Sequence, residues 1–285
     1  MKILVISDVV MWKDYEEIVK KNRPDVIVLA GDLTSDGYAN FDEIIEQIPE
    51  YQNELKKLNT MFKRHEGITE YQWVKKPKEY ENISVPKVVH KLKRKYIGSK
   101  EFLHKRKEMH VDKFYQFLEF AGKKAQVLVI KGDHDEDYEG DYNLERIDKI
   151  NGCREISGKY VMINGLSFLG LGYNETRNTK TLTSYINKFK GKVDVVVTHC
   201  QQNRLPMISL LRAKIIIRGH FGYGKYLING IPSVFTALAK YTIIELENGK
   251  LLNIIQYTDP HKPQFSRSFE KSLFEKYRWL EQYPY

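Results

Sequence analysis

The chain has 285 residues, 42% of them hydrophobic and 12% aromatic, and a formal net charge of +9. This is enough apolar content for a sizeable core, and no apolar run nears the roughly 20 residues that span a bilayer, which excludes a membrane-spanning class. Two cysteines, Cys153 and Cys200, form no C-x-x-C pair, so a disulfide scaffold is excluded; without a secretory pattern at either terminus, a reduced, cytoplasmic setting is expected.

The opening run Ile3 to Ile6 reads as a strand and delivers Ser7-Asp8. Tyr15, Ile18 and Val19 suggest a helix face, which Lys20 to Pro24 closes with positive charge and a stop signal. Val26 to Ala30 is a second strand and delivers Gly31-Asp32. Another helix is expected from near Asn40, where Phe41, Ile44, Ile45 and Ile48 fall at helical spacing before Pro49. From 51 to 109 the chain turns polar, basic and irregular, and reads as a partly helical insertion. Between Glu54 and Lys113 there are 17 basic and 8 acidic residues, the whole of the excess charge; the remainder balances at 29 of each.

Phe114, Phe117, Leu118 and Ala121 restore an amphipathic helix ahead of the strand Val127 to Ile130. That strand leads to Gly132-Asp133-His134-Asp135. Three Asn-Gly pairs, Asn164-Gly165, Asn229-Gly230 and Asn248-Gly249, separate apolar runs and signal hairpins, because both residues tolerate positive φ. Among these hairpins, Val195 to Val197 delivers Thr198-His199, and Ile215 to Ile217 delivers Arg218-Gly219-His220. The early half therefore reads as βα units and the later half as hairpin-rich. The tail from Asp259 to Tyr285 is aromatic and charged, with a closing helix expected around Phe269 to Leu280.

Five strand-like runs thus end in residues that bind metals. In sheets flanked by helices, ligands gather beyond the carboxyl ends of the strands. Asp8, Asp32, Asp133, His199 and His220 can therefore meet around one spot and bind a divalent cation. Taken singly each has a plain explanation: Asp8 as a helix cap, His199 as a satisfied core histidine, His134 in a solvated acidic turn. Five unrelated turns producing one ordered pattern is the harder account.

The order Asp8, Gly31-Asp32, Gly132-Asp133-His134-Asp135, His199, Gly219-His220 resembles a calcineurin-like metallophosphoesterase over about 1 to 48 and 114 to 257. The resemblance implies a four-layer α/β/β/α sandwich of two mixed sheets spanning 1–258, interrupted by the basic insertion 51–109, with 259–285 as a tail packed on the domain. It also implies one or two divalent ions (Mn, Fe, Zn or Ni) and hydrolysis of a phosphomonoester or phosphodiester by hydroxide generated at the metal. His134 matches the family's catalytic histidine, and Asp135 would accept a hydrogen bond from its other ring nitrogen. Arg218 is a candidate phosphate contact.

Three positions depart from the family pattern of D-x-H, G-D, G-N-H-D/E, His and G-H-x-H. Val10 and Gly222 stand where it has histidines, and Asp133 stands where it has asparagine. The first metal then keeps only Asp8 and Asp32, with Asp36, Asn174 or Tyr223 as replacement candidates. The second keeps Asp32, Asp133, His199 and His220. Val10 and Gly222 also raise the alternative of an inactive relative acting as an interaction scaffold. The insertion's lysines, arginines and aromatic residues raise that of nucleic-acid binding.

Overall fold

A computed structural model describes residues 1–9, 12, 14–34, 100–133, 135, 144–220, 222, 224–237, 239–247 and 249–258. The chain divides into two compact units, Met1–Gly37 with Val111–Tyr285, and Tyr38–His110. The second unit contains the whole of the insertion 51–109; apart from the backbone of 100–109, that insertion lies outside the described residues. So do the helix expected from Asn40 and the tail 259–285.

The first unit is built on two mixed sheets of six strands. Strands β1 (Lys2–Ile6), β2 (Val26–Ala30), β3 (Gln126–Ile130) and β4 (Cys153–Glu155) run parallel, and β11 (Ala239–Glu247) and β12 (Lys250–Thr258) extend this sheet antiparallel beside β1. The second sheet has a parallel centre of β6 (Leu166–Leu171), β7 (Val195–Thr198), β8 (Ile215–Arg218) and β10 (Ile231–Phe235). Antiparallel β5 (Tyr160–Ile163) and β9 (Gly224–Ile228) close its two edges. The later half is therefore not hairpin-rich throughout. The Asn164-Gly165 and Asn229-Gly230 hairpins, with both residues of each at positive φ, form the rims of a parallel core.

Strand alternation explains the layering. Ile3, Val5, Val26, Val28, Leu128 and Ile130 of the first sheet face Phe168, Val195, Val197, Ile215 and Ile217 of the second, one apolar seam between the sheets. The opposite face of the first sheet, with Leu4, Ile6, Ile27, Leu29 and Val129, is covered by α1 (Tyr15–Asn22) and by the C-terminal part of α2 (Lys100–Gly122). Tyr15, Ile18 and Val19 of α1 and Phe114, Phe117, Leu118 and Ala121 of α2 make that cover, which the helical spacing predicted. Acidic Glu16 and Glu17 in the first turn of α1 and basic Lys20 and Lys21 in its last match the helix dipole.

The short α3 (Tyr173–Arg177) follows β6, and α4 (Thr179–Phe189) follows it directly, its first amides accepted by the Asn178 side chain. Leu182 and Ile186 of α4, with Leu205 and Ile208 of α5 (Leu205–Ile208), cover the outer face of the second sheet at Leu169, Leu171, Val196 and Ile216. The result is a four-layer α/β/β/α sandwich. Among the described residues, no helix is long and apolar enough to cross a membrane.

Candidate metal centre

All five strand ends that carry candidate ligands are the carboxyl ends of parallel strands, and both sheets aim them at the same end of the sandwich. The backbone there leaves ordinary conformations. Asp8, Asp32 and His220 have φ of 50°, 52° and 76°. Positive φ in non-glycine residues is uncommon, most tolerated by Asn, Asp and His, and clusters at functional sites. It turns the chain sharply after the last strand residue, so that these side chains point across the crevice instead of continuing the strand alternation.

Four of the candidates meet. Asp32, Asp133, His199 and His220 each offer an atom within 4.8 Å of all the others. His199 Nε2 lies 3.0 Å from Asp133 Oδ1 and 3.2 Å from Asp32 Oδ2, and His220 Nδ1 lies 3.0 Å from the same Asp133 Oδ1. These are the residues that the family resemblance gives to the second metal. Asp8 stands beside them, its Oδ2 accepting the His220 backbone amide at 3.1 Å.

The donor set suits a divalent cation. His199 Nδ1 sits 2.8 Å from the Ala30 carbonyl oxygen, which can only accept, so Nδ1 carries a proton. The ring is thereby fixed with Nε2 turned to the two carboxylates, the orientation in which metal-binding histidines are held. Two imidazoles and two carboxylates are ligands for Zn, Mn, Fe or Ni alike. The four residues could hold a metal ion, and their geometry favours no one of these elements over the others.

In the metal-free protein the same contacts set the charges. Burial works against a charged His199, but hydrogen bonds to Asp133 and Asp32 and the charges of Asp32 and Asp8 outweigh it and hold the imidazole well above its usual 6.5. Burial likewise works against the Asp133 anion, yet its hydrogen bonds to His199 and His220 prevail and keep it well below the usual carboxylate range. A proton on His199 thus stands in for part of a cation's charge.

The other expected site residues fall differently. His134, Asp36 and Tyr223 lie outside the described residues, and Asn174 is exposed in α3. Among the described residues, the two oxygens of Asp135 accept five hydrogen bonds, from the amides of Asp32, Leu33, Thr34 and Gly132 and from the Thr34 hydroxyl, and its expected bond with His134 lies outside the described residues. Arg218, expected to touch phosphate, is 1% exposed. Its Nε donates to the Cys200 carbonyl at 2.9 Å and its guanidinium lies over the Phe235 ring at 4.7 Å. It faces outward from β8 because Ile217 before it faces the inter-sheet seam.

Sequence reading missed the packing that makes room for the ligands. A Cβ on Gly132 would lie 2.0 Å from Asp32 Oδ1, so only glycine lets the two ligand-bearing turns approach. Phe235 was also missed. A side chain at Gly222, whose φ is 99°, would start 2.8 Å from Phe235 Cδ2. The family histidine is thus absent at 222 and also sterically shut out. Gly222→His is expected to cost about 1–3 kcal/mol for the forced backbone alone and to add no second ion; thermal melts and metal analysis of the purified variant check both.

No protein-family model and no curated protein matches the chain. Among solved structures, one crystal structure superposes on 90% of this chain and 99% of its own with a TM-score of 0.50 and 13% identity, a likeness that shows the fold alone. The protein TT1561 of Thermus thermophilus (TM-score 0.47, 10% identity) covers 90% of this chain and 98% of its own. A hypothetical protein from the same organism (TM-score 0.43, 12% identity) covers 91% and 99%.

Proposed function

We propose that this chain is a metal-dependent phosphoesterase of the calcineurin-like metallophosphoesterase superfamily, working with one firmly held divalent ion. The observation that carries the reading is the convergence of Asp32, Asp133, His199 and His220 at the carboxyl ends of strands from both sheets. When bound, a divalent ion there supplies Lewis-acid polarisation of a phosphoryl oxygen and lowers the pKa of nearby water. The chain's own residues do the rest. Ala30 holds the His199 Nδ1 proton, which leaves Nε2 as the donor to the ion.

The side of approach follows from exposure. The His199 side chain is wholly enclosed, whereas Asp133 retains 21% of its side-chain surface. A phosphoester therefore comes in over Asp133, the turn that also carries His134 in the sequence, and the resemblance gives His134 the protonation of the leaving group. The basic insertion fits the same reading as a source of attraction for an anionic substrate. On that basis kcat/KM falls as salt is raised, since exposed charges are screened beyond about 8–10 Å near physiological ionic strength.

The test is metal analysis of the purified protein followed by turnover of chromogenic phosphomonoesters and phosphodiesters with Mn²⁺, Zn²⁺, Fe²⁺ or Ni²⁺. One ion per chain with turnover supports the proposal. A bound ion without turnover on either ester class points to the scaffold reading, which the exclusion of a histidine at 222 by Phe235 favours. No bound ion ends both the metal and the hydrolytic account.

A further inference from the structure

We infer that Asp135 is a positioning residue whose carboxylate ties the turn bearing Asp32 to the turn bearing Asp133, so that both ligands stand in place before an ion arrives. This deepens the proposed metal site and rests on it for its functional meaning. The tie itself is a matter of geometry. Oδ2 accepts the Asp32 amide at 2.9 Å and the Gly132 amide at 2.8 Å, one from each turn. Oδ1 accepts the Leu33 amide at 2.8 Å, the Thr34 amide at 3.2 Å and the Thr34 hydroxyl at 2.8 Å.

Three successive amides, of residues 32, 33 and 34, converge on one anion. That is the backbone concavity which elsewhere binds external anions, and here the chain fills it with its own carboxylate. The left-handed conformation of Asp32, φ 52°, opens this concavity and aims the Asp32 side chain at His199. The two consequences are inseparable: relax the turn and the ligand swings away. On the other side, the Gly132 amide fixes the residue immediately before Asp133.

Stability alone gives little reason for such a group. Asp135 is buried, its five donors among the described residues are neutral amides and a hydroxyl, and it lies close enough to Asp32 for their negative charges to repel. Buried charge held this way is costly compared with an apolar replacement. What the carboxylate does supply, and no apolar residue can, is simultaneous acceptance from two turns about 100 positions apart in sequence. Metal-binding carboxylates are commonly oriented by a further layer of hydrogen bonds, and losing such a partner costs roughly 10- to 100-fold in metal affinity.

Two variants test this in the full-length protein. Asp135→Asn presents an NH₂ to donors and breaks part of the network; Thr34→Val removes one donor and keeps the shape. Binding of Mn²⁺ is measured by calorimetry well below the melting temperature of each variant, where a residue that only stabilised the fold would leave Kd unchanged. The expected result is a Kd raised about 10- to 100-fold in Asp135→Asn and several-fold in Thr34→Val, with stoichiometry unchanged. Amide exchange of Asp32, Leu33, Thr34 and Gly132 in the metal-free protein is expected to accelerate at least tenfold in Asp135→Asn.

If Asp135→Asn does not fold, Thr34→Val decides. Wild-type Kd in the folded variants overturns the positioning role, and unchanged exchange overturns the tie. A wild-type protein that takes up no Mn²⁺, Zn²⁺ or other divalent ion ends the metal reading instead, while faster exchange in the variant still upholds the tie between the turns.

Discussion

His199→Ala is expected to abolish measurable metal uptake and to destabilise the metal-free protein by about 3–5 kcal/mol, the cost of removing one partner from a buried charged pair. The imidazole is fully enclosed and touches both carboxylates of the cluster as well as the Ala30 carbonyl. Removing it leaves Asp32 and Asp133 facing each other with their chief neutralising group gone. It also leaves a void between turns that packed around the ring, since a Cβ on Gly31 would sit 2.4 Å from His199 Nδ1.

His199→Asn separates the two effects. The asparagine amide can replace the Nδ1 donor to Ala30 but offers nothing where Nε2 was. It is expected to recover part of the lost stability and none of the metal binding. Melting in EDTA gives the first quantity and calorimetry with Mn²⁺ the second. An asparagine variant that binds the ion like wild type would show that Nε2 is no ligand.

The second large effect is on pH dependence without metal. His199 has its folded pKa raised, so its contribution is fully present below the unfolded value of about 6.5 and is lost as pH rises through the folded value. Asp133 has its folded pKa lowered, so its contribution is fully present above the unfolded value near 3.8 and is lost as pH falls through the folded one. The metal-free protein is therefore expected to keep both contributions between about pH 4 and 6.5. Above that window the His199 part declines by up to about 1.4 kcal/mol per pH unit.

With the ion in place the imidazole no longer needs its proton, and the alkaline decline is expected to shrink. Metal affinity should rise over the same range, because uptake expels that proton. Thermal melts from about pH 4 to 10, spanning the histidine and carboxylate ranges, with EDTA and with Mn²⁺, check the prediction. Identical alkaline slopes in the two series would remove His199 from the charge balance.

The strand ends were legible because periodicity marks where a buried run stops, and the residue after it is then known. Asp8, Asp32, Asp133, His199 and His220 all follow such runs, and four of them meet. The faces of α1 and α2 were legible for the same reason, as were the Asn164-Gly165 and Asn229-Gly230 turns. The parallel centre of the second sheet was not, since hairpin signals dominate its edges while α3, α4 and α5 are short or interrupted helices between its strands.

Side-chain roles beyond the strand ends escaped for another reason. Asp135 lies in a turn, where alternation no longer says which way a residue points, and its partners at 32 to 34 are remote in sequence. The exclusion at Gly222 depends on Phe235, a residue of a different strand. Neither leaves a trace in local spacing.

Two of the four grouped side chains hang from one sheet and two from the other. An ion gripped by all of them is a rivet through the two leaves of the sandwich, joining residue 32 to residue 220 at the end opposite the Asn164-Gly165 turn. Under thermal load that rim should gape later with the rivet in than after a chelator has drawn it.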